Sequence, residues 1–551
     1  MSVKLLIVGG VAGGATAAAR ARRLNEKAEI IIFERGEFIS FANCGLPYYI
    51  GESIKDRDDL LVTTAGEFKA HYHVDVRTFS EVLSIDRKNK TVEVKESREG
   101  RIYTESYDRI LLSPGAVPIR PLIEGVNQEN IFCLRDIPDM DNIKGFVDLR
   151  KPESAVVVGG GFIGLEMAEN LTKRGVRTTI VEMLNQVMAP FDPEMAAMVH
   201  GFLREGGISL EIGNRVTAFG RNGDRIIVSM EKGDDIVCDM VILSIGVSPE
   251  TALARQAGLE IGNCGGIKVD ETMRTSDPNI YAVGDAVETT DFITGSVGIL
   301  PLAGPANKQA RIAADNIMGR KAVYEGTMGT AVVKLFDKTI AATGQCEKKL
   351  QAKKIPCLKS YTFSGSHASY YPGVEMMAVK IIFSPETGKI LGGQIVGGKG
   401  VDKRIDILAT AIHGGMTVYD LEKLELAYAP PYSSAKDPIN IAGFVASNML
   451  KGDVEVAHWH ELETVEDDET VLVDLRTAGE LQETGMIEGS LHIPLDQLRD
   501  RIHELRRDKI YIVYCAVGYR GYLAYRILVQ NGFTVKNLSG GLFLYDAAQK
   551  S

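Results

Sequence analysis

The sequence predicts an α/β chain: two interleaved dinucleotide-binding units, then a strand-rich module, then a compact C-terminal α/β module. Three observations predict this. A strand, a Gly-rich turn, a helix and a second strand closed by an acid occur twice in register, first at Val3 and again at Ala155. A third strand ends in Gly284-Asp285, the form of a segment that returns to a nucleotide site. After Gly326 the pattern turns to strand-rich stretches and then helices. The final stretch of about 90 residues is within the size range in which single domains fold alone.

The first repeat is strand Val3–Val8, the turn Gly9-Gly10-Val11-Ala12-Gly13-Gly14, an Ala-rich helix, and strand Glu29–Phe33 followed by Glu34 and Arg35. The second is Ala155–Val158, Gly159-Gly160-Gly161-Phe162-Ile163-Gly164, a helix to Arg174, and Thr178–Val181 closed by Glu182. From first glycine to acid the span is 25 residues in one copy and 23 in the other. Both fit a βαβ unit that sets a pyrophosphate on a helix N-terminus and an acid on ribose hydroxyls. Val11 takes the place of the middle glycine in the first copy.

Gly9, Gly13, Gly14, Glu34 and Arg35 are therefore assigned to one dinucleotide, and Gly159, Gly161, Gly164 and Glu182 to the other. A carboxylate at Glu182 accepts hydrogen bonds from a ribose diol and repels a 2′-phosphate. No arginine stands within three residues after it, so NADH is expected over NADPH. In Thr275–Asp285 the strand ends so that Gly284 and Asp285 can face a flavin's ribityl or phosphate portion. Alone it reads as a strand-to-loop junction, but after two dinucleotide units it resembles the returning FAD segment of two-dinucleotide flavoprotein reductases. That implies FAD as the first cofactor, with its domain split around the NAD part. The expected boundaries are 1–115 and 245–325 for FAD, 116–244 for NAD, 326–448 for the strand-rich interface module, 449–463 for a polar linker and 464–551 for the last module.

Composition bounds the partners. At 551 residues, 45% hydrophobic and 25% charged, the chain has ample core for three to five domains. A net charge of −11 with no basic tract excludes nucleic acid as a bulk partner. No run of 18 apolar residues is present, so no membrane span is expected. The seven cysteines are scattered, odd in number and without a CxxC pair. That spacing offers neither zinc ligands nor a secreted disulfide framework, and it fits a reducing, cytoplasmic setting. His458-Trp459-His460-Glu461 is taken as solvated, and no metal is assigned.

Cys44 carries the chemistry. It lies just past the first nucleotide unit, with no second cysteine four or five residues away. A flavin enzyme working through an internal dithiol needs two; here the other sulfur must be foreign, or oxygen must take its place. Gly45-Leu46-Pro47-Tyr48 is a helix start, where free N–H groups favour thiolate. The competing reading is a buried structural cysteine. Thr16, Arg20 and Arg23 share one helix face, where arginine forks can hold phosphate; alone, the two arginines read as surface charges. Cys515 opens a loop closed by Arg520, with four residues between them, after a strand and Asp474-Leu475-Arg476. The loop's successive N–H groups suit a thiolate or persulfide, and its length suits one extra sulfur rather than a phosphate. Arg520 could instead be a helix-start residue paired with a surface acid.

The runs Ser40-Phe41-Ala42-Asn43-Cys44-Gly45-Leu46-Pro47-Tyr48 and Tyr428-Ala429-Pro430-Pro431-Tyr432-Ser433-Ser434-Ala435-Lys436-Asp437-Pro438 closely resemble the coenzyme A disulfide reductase family, and the C-terminal module resembles rhodanese. The whole chain thus resembles a coenzyme A disulfide reductase–rhodanese fusion, a group that includes NADH-dependent persulfide and polysulfide reductases. The resemblance implies two interleaved Rossmann-like dinucleotide-binding domains, an α+β dimerisation domain and a C-terminal rhodanese-like α/β domain. It implies a homodimer with FAD, NADH and coenzyme A. Thr16, Arg20, Arg23, Ser40 and Asn43 would contact coenzyme A, with Lys436 near the substrate. Tyr370 and Tyr428 would reach the thiol from the partner subunit, with Tyr371 and Tyr432 as neighbouring alternatives. The expected reaction is reduction of coenzyme A disulfide, coenzyme A persulfide or polysulfide at Cys44, with Cys515 and Arg520 relaying sulfane sulfur. The alternatives are an NADH oxidase or peroxidase cycling through a sulfenic acid, or a C-terminal module that only senses or delivers sulfur.

Overall fold

A computed structural model describes residues 3–464 and 469–549. They form two compact units: one runs through Met183 and resumes over Asn214–Gly329, the other joins Leu184–Gly213 to the chain from Thr330 onward.

In the first unit, Lys4–Val8 is the central strand of a parallel sheet in the order Ile280–Ala282, Arg109–Leu112, Lys4–Val8, Glu29–Phe33, Asp75–Arg77. Leu5, Leu6 and Ile7 are fully buried. A parallel strand covered on both faces reads as an unbroken apolar run, which is how it appears in the sequence. Helix Ala12–Leu24 packs against helix Ala303–Ile317, and buried Ala15, Ala17, Ala18 and Ala21 give it a small-residue face for close approach. Ile280–Ala282 pairs in parallel with Ile110–Leu112, so the third predicted strand rejoins the first sheet and the nucleotide domains are interleaved. The second repeat builds its own parallel sheet. There Ser154–Val158 lies between Arg177–Glu182 and Met240–Leu243, with Ile131–Phe132 beyond.

The second unit holds an antiparallel five-stranded sheet, ordered Ala331–Leu335, Lys338–Gly344, Ile390–Gly397, Met376–Phe383, Leu358–Gly365. Helices Val401–His413 and Pro438–Leu450 pack on it. The C-terminal module is a parallel sheet in the order Val456–Ala457, Thr534–Leu538, Ile510–Tyr514, Thr470–Asp474, Leu491–His492. Here the structure departs from the expected linker. Val456–Ala457 forms the edge strand of that sheet, and His458 sits edge-on to Tyr361 with ring centroids 6.1 Å apart. Enclosure, then the charge of Lys359, drive its imidazole pKa down to about 3, so His458 is neutral and structural rather than solvated. Among the described residues no helix is long and apolar enough to cross a membrane.

Candidate active site

Both Gly-rich turns have the same cradle geometry. Gly9 and Gly159 hold φ of +96° and +106°, a region that penalises any side chain. A Cβ on Gly14 would lie 1.8 Å from the Gly9 carbonyl oxygen, and one on Gly164 would lie 2.0 Å from that of Gly159. Only glycine lets each helix start so close to its strand, the placement a pyrophosphate on the helix N-terminus requires. A Cβ on Gly161 meets nothing within 4 Å, leaving room for a ligand against the backbone. Gly13 is packed tightly, its notional Cβ 2.5 Å from Ser113 Oγ.

The strand-end acids stand where predicted. Glu34 accepts from the N–H groups of Gly10 and Gly36, both at 2.9 Å. Glu182 accepts from Gly160 N–H at 2.7 Å. Arg35 is exposed, 3.9 Å from Glu250. Gly284–Ala286 forms one tight turn, with Gly284 N–H donating to Gln309 Oε1 at 2.8 Å. The donor set fits FAD at the first cradle, with the Gly284-Asp285 turn facing it, and NADH at the second.

Cys44 lies in the short turn Asn43–Gly45, which runs into helix Leu46–Ile50, so the predicted helix start is present. Its expected effect on the thiol is not. Crowding around the sulfur raises the Cys44 pKa, and the Glu166 and Asp285 carboxylates raise it further. A five-residue helix has too small a dipole to outweigh desolvation and two acids. Cys44 is exposed and bridged to no other cysteine. Ser40 holds the turn in place from a left-handed backbone, φ +47°, donating its N–H to Gly10 O at 2.9 Å. Asn43 is exposed beside Cys44.

Thr16, Arg20 and Arg23 do share one face of helix Ala12–Leu24, yet they are not equally available. Thr16 Oγ1 donates to Asn307 Oδ1 at 2.5 Å. Arg20 forks onto Asp315 at 2.7 and 3.1 Å, tying its helix to Ala303–Ile317. Arg23 alone is exposed.

In the second unit the hydroxyls of Tyr370 and Tyr428 are 2.8 Å apart, which brings together the pair singled out from sequence. Both rings are exposed. Tyr428 and Tyr432 line a cavity of about 680 Å³ with Lys399, Lys403 and Arg404, whereas Tyr371 packs edge-on against His367. Lys436 is exposed one residue before Asp437, whose carboxylate pairs with the buried Arg404 at 2.9 Å.

Cys515 closes strand Ile510–Tyr514 and is fully buried, with Gly518 N–H donating to its Sγ at 3.2 Å. Helix Tyr519–Gln530 begins directly behind the loop. Arg520 forks onto Glu480 at 2.5 and 2.8 Å, the acid pairing that was the alternative reading, and it also lies near enough to interact with Cys515. Asp474, in register with Tyr514 on the neighbouring strand, forms a buried pair with Arg476 at 2.6 Å.

Sequence reasoning missed the acids that answer these arginines, Asp315 and Glu480, and it missed Glu166. The signal for Glu166 was its place two residues after Gly164 on the helix behind the second cradle.

Comparison with known proteins agrees with this layout. Residues 3–310 match the pyridine nucleotide-disulphide oxidoreductase family, 330–438 its dimerisation domain and 458–548 the rhodanese-like domain. The crystal structure of reduced Bacillus anthracis CoADR-RHD superposes with a TM-score of 0.97 at 49% identity, covering 100% of this chain and 98% of that one. A NAD-dependent persulfide reductase from A. fulgidus gives 0.93 at 37% identity, covering 98% of this chain and 100% of that one. The coenzyme A disulfide reductase of Staphylococcus haemolyticus is 35% identical over 447 residues, 81% of this chain and 100% of its own length. Cradles, solitary thiol and C-terminal loop together accord with these matches, and the chain belongs to the pyridine nucleotide-disulphide oxidoreductase family, in its coenzyme A disulfide reductase group with a rhodanese-like domain.

Proposed function

We propose that this chain is an FAD-dependent, NADH-consuming reductase of coenzyme A disulfide, coenzyme A persulfide or polysulfide, acting as a cytoplasmic homodimer. The observation that carries the reading is Cys44: one accessible thiol beside a nucleotide cradle, with no cysteine partner in its own chain. When bound, FAD supplies to the sulfur at Cys44 the two electrons that NADH delivers.

Cys44 Sγ attacks the outer sulfur of the persulfide. The Cys44–sulfur bond forms, the substrate's sulfur–sulfur bond breaks, and coenzyme A leaves as thiolate. Coenzyme A disulfide gives a mixed disulfide at Cys44 by the same step. Arg23, Ser40 and Asn43 hold the coenzyme A, with Thr16 and Arg20 at the margins of its site, and the family resemblance adds Lys436 near the substrate. The Tyr370–Tyr428 hydroxyl pair, which the family resemblance assigns to the neighbouring subunit, hydrogen-bonds the departing thiolate. Cys515 Sγ attacks the terminal sulfur of a polysulfide inside its loop, the donor's sulfur–sulfur bond breaks and the shortened chain leaves. Arg520 balances the charge, and a coenzyme A or Cys44 thiolate then takes that sulfur and releases the Cys515 thiolate. Covalent relay splits a difficult reduction into two exchanges.

The test uses the full-length holoenzyme and follows NADH absorbance. Cys44→Ser is expected to slow reduction of coenzyme A disulfide and persulfide on the order of 100-fold with FAD retained. Cys515→Ser is expected to lose polysulfide turnover while coenzyme A disulfide reduction stays. Full activity in Cys44→Ser rejects the reading, and faster NADH use with oxygen alone than with any sulfur acceptor favours an oxidase instead.

A further inference from the structure

One acid close to Cys44 has no place in the scheme so far. Glu166 sits in the first turns of helix Phe162–Lys173. Its Oε1 accepts a hydrogen bond from the Tyr48 hydroxyl at 3.0 Å. Tyr48 follows Cys44 by one helical turn, on helix Leu46–Ile50, and that helix packs against Phe162–Lys173. The next acid along, Glu169, is buried with its own cation, Lys173, at 2.5 Å. Among the described residues no lysine or arginine pairs with Glu166.

We propose that Glu166 is the proton store for Cys44, reached through the Tyr48 hydroxyl. The proposal rests on the thiol-exchange role given to Cys44 above. As Cys44 Sγ attacks the outer sulfur, its proton passes to Tyr48 Oη while the Tyr48 proton passes to Glu166 Oε1. The Cys44–sulfur bond forms, the substrate sulfur–sulfur bond breaks, and its electron pair leaves on the departing thiolate. The proton then returns through Tyr48 to that thiolate, so no charge or electron is left over.

The electrostatics favour this arrangement. With Glu166 charged, its carboxylate and that of Asp285 oppose a Cys44 thiolate. Moving the thiol's proton onto Glu166 removes one of those charges at the moment the thiolate is needed. Burial pushes the Glu166 carboxyl up to about 7, Glu169 adding to the shift and the Tyr48 hydrogen bond opposing it. That value is matched to taking and returning a proton near neutrality. Tyr48 is held well above its ordinary pKa by burial and by Glu166, so it transmits the proton without ionising. The charged and titratable groups facing the pair are thus Tyr48, Glu169 with Lys173, and Asp285.

The test compares wild type, Glu166→Gln and Tyr48→Phe holoenzymes with flavin content checked by absorbance. Two quantities are followed against pH: alkylation of Cys44 by iodoacetamide, and kcat/KM for coenzyme A disulfide. Glu166→Gln is expected to alkylate faster at neutral pH because a repelling charge is gone, yet to turn over at least tenfold more slowly. Its profile is expected to lose the limb near pH 7. Tyr48→Phe keeps the charge and breaks the bridge, so turnover falls similarly without faster alkylation. A Glu166→Gln enzyme whose turnover rises with its alkylation rate, or keeps the limb, overturns the proposal. If Glu166→Gln loses flavin, unchanged turnover in Tyr48→Phe overturns it alone. Alkylated wild type that still turns over would instead refute the thiol-exchange reading beneath it.

Discussion

Arg20 and Arg23 show how far residue type and spacing carry an argument. Helical periodicity placed both on one face with Thr16, and the structure keeps them there. What spacing could not supply was Asp315, which lies 295 residues further along the chain and answers Arg20 with a forked ion pair. A partner so remote leaves no local pattern, and the same holds for Tyr48 with Glu166, 118 residues apart. Cys44 itself was legible because its isolation is a property of sequence alone. Its raised pKa was not, because the responsible acids come from other segments. The two arginines are therefore expected to separate. Arg23→Ala should raise KM for coenzyme A disulfide about tenfold, roughly 1.4 kcal/mol of lost phosphate binding, with the melting temperature unchanged. Arg20→Ala should lower the melting temperature by leaving Asp315 unpaired between two helices, with the smaller effect on KM. Equal KM effects and equal melting temperatures would refute this division.

At the scale of elements, the βαβ repeats were legible because their constraints are local: an apolar strand, a turn that only glycine can close, a helix and an acid at fixed distance. The return of Ile280–Ala282 to the first sheet was legible only through its Gly-Asp ending, since a three-residue strand has no periodicity to read. Val456–Ala457 has even less, two residues in a polar stretch, which is why it passed for linker. Two glycines of the second turn make opposite predictions. Gly164→Ala places a Cβ 2.0 Å from Gly159 O, so helix and strand must separate. Loss of both NADH binding and thermal stability is expected. Gly161→Ala points into open space. It should fold with unchanged melting temperature while KM for NADH rises at least tenfold, because the methyl occupies the path of the pyrophosphate. Isothermal titration with NADH and thermal unfolding of both variants would check the contrast, and a destabilised Gly161→Ala would contradict it.

Within the second unit, one buried charge ties three parts of the chain together. Lys380, fully buried in strand Met376–Phe383, reaches Asp192 at 2.8 Å, Glu194 at 2.5 Å and Glu347 at 2.8 Å. Asp192 and Glu194 belong to the inserted segment Leu184–Gly213, so the ammonium fixes that segment to the sheet. Tyr361 donates its hydroxyl to Glu194 at 2.8 Å, and Lys359 pairs with Glu347. Three clustered carboxylates could suggest a metal centre, but the Lys380 ammonium already satisfies them. Removing one partner of a buried ion pair strands the rest, at a cost of about 3–5 kcal/mol. Lys380→Met is therefore expected to lose about that much, with hydrogen exchange in Met376–Phe383 as the local readout. The pH dependence should weaken. Glu347 is held below its ordinary 4.5, largely by Lys380 and Lys359 against the opposing effect of burial, so its contribution is present above pH 4.5 and lost as pH falls through the depressed value. Without Lys380 the burial of Glu347 is opposed by Lys359 alone, so the loss of stability in acid should be smaller in the variant than in the wild type. A Lys380→Met protein with wild-type protection and the wild-type acid slope would show that packing alone, without this ammonium, holds the inserted segment in place.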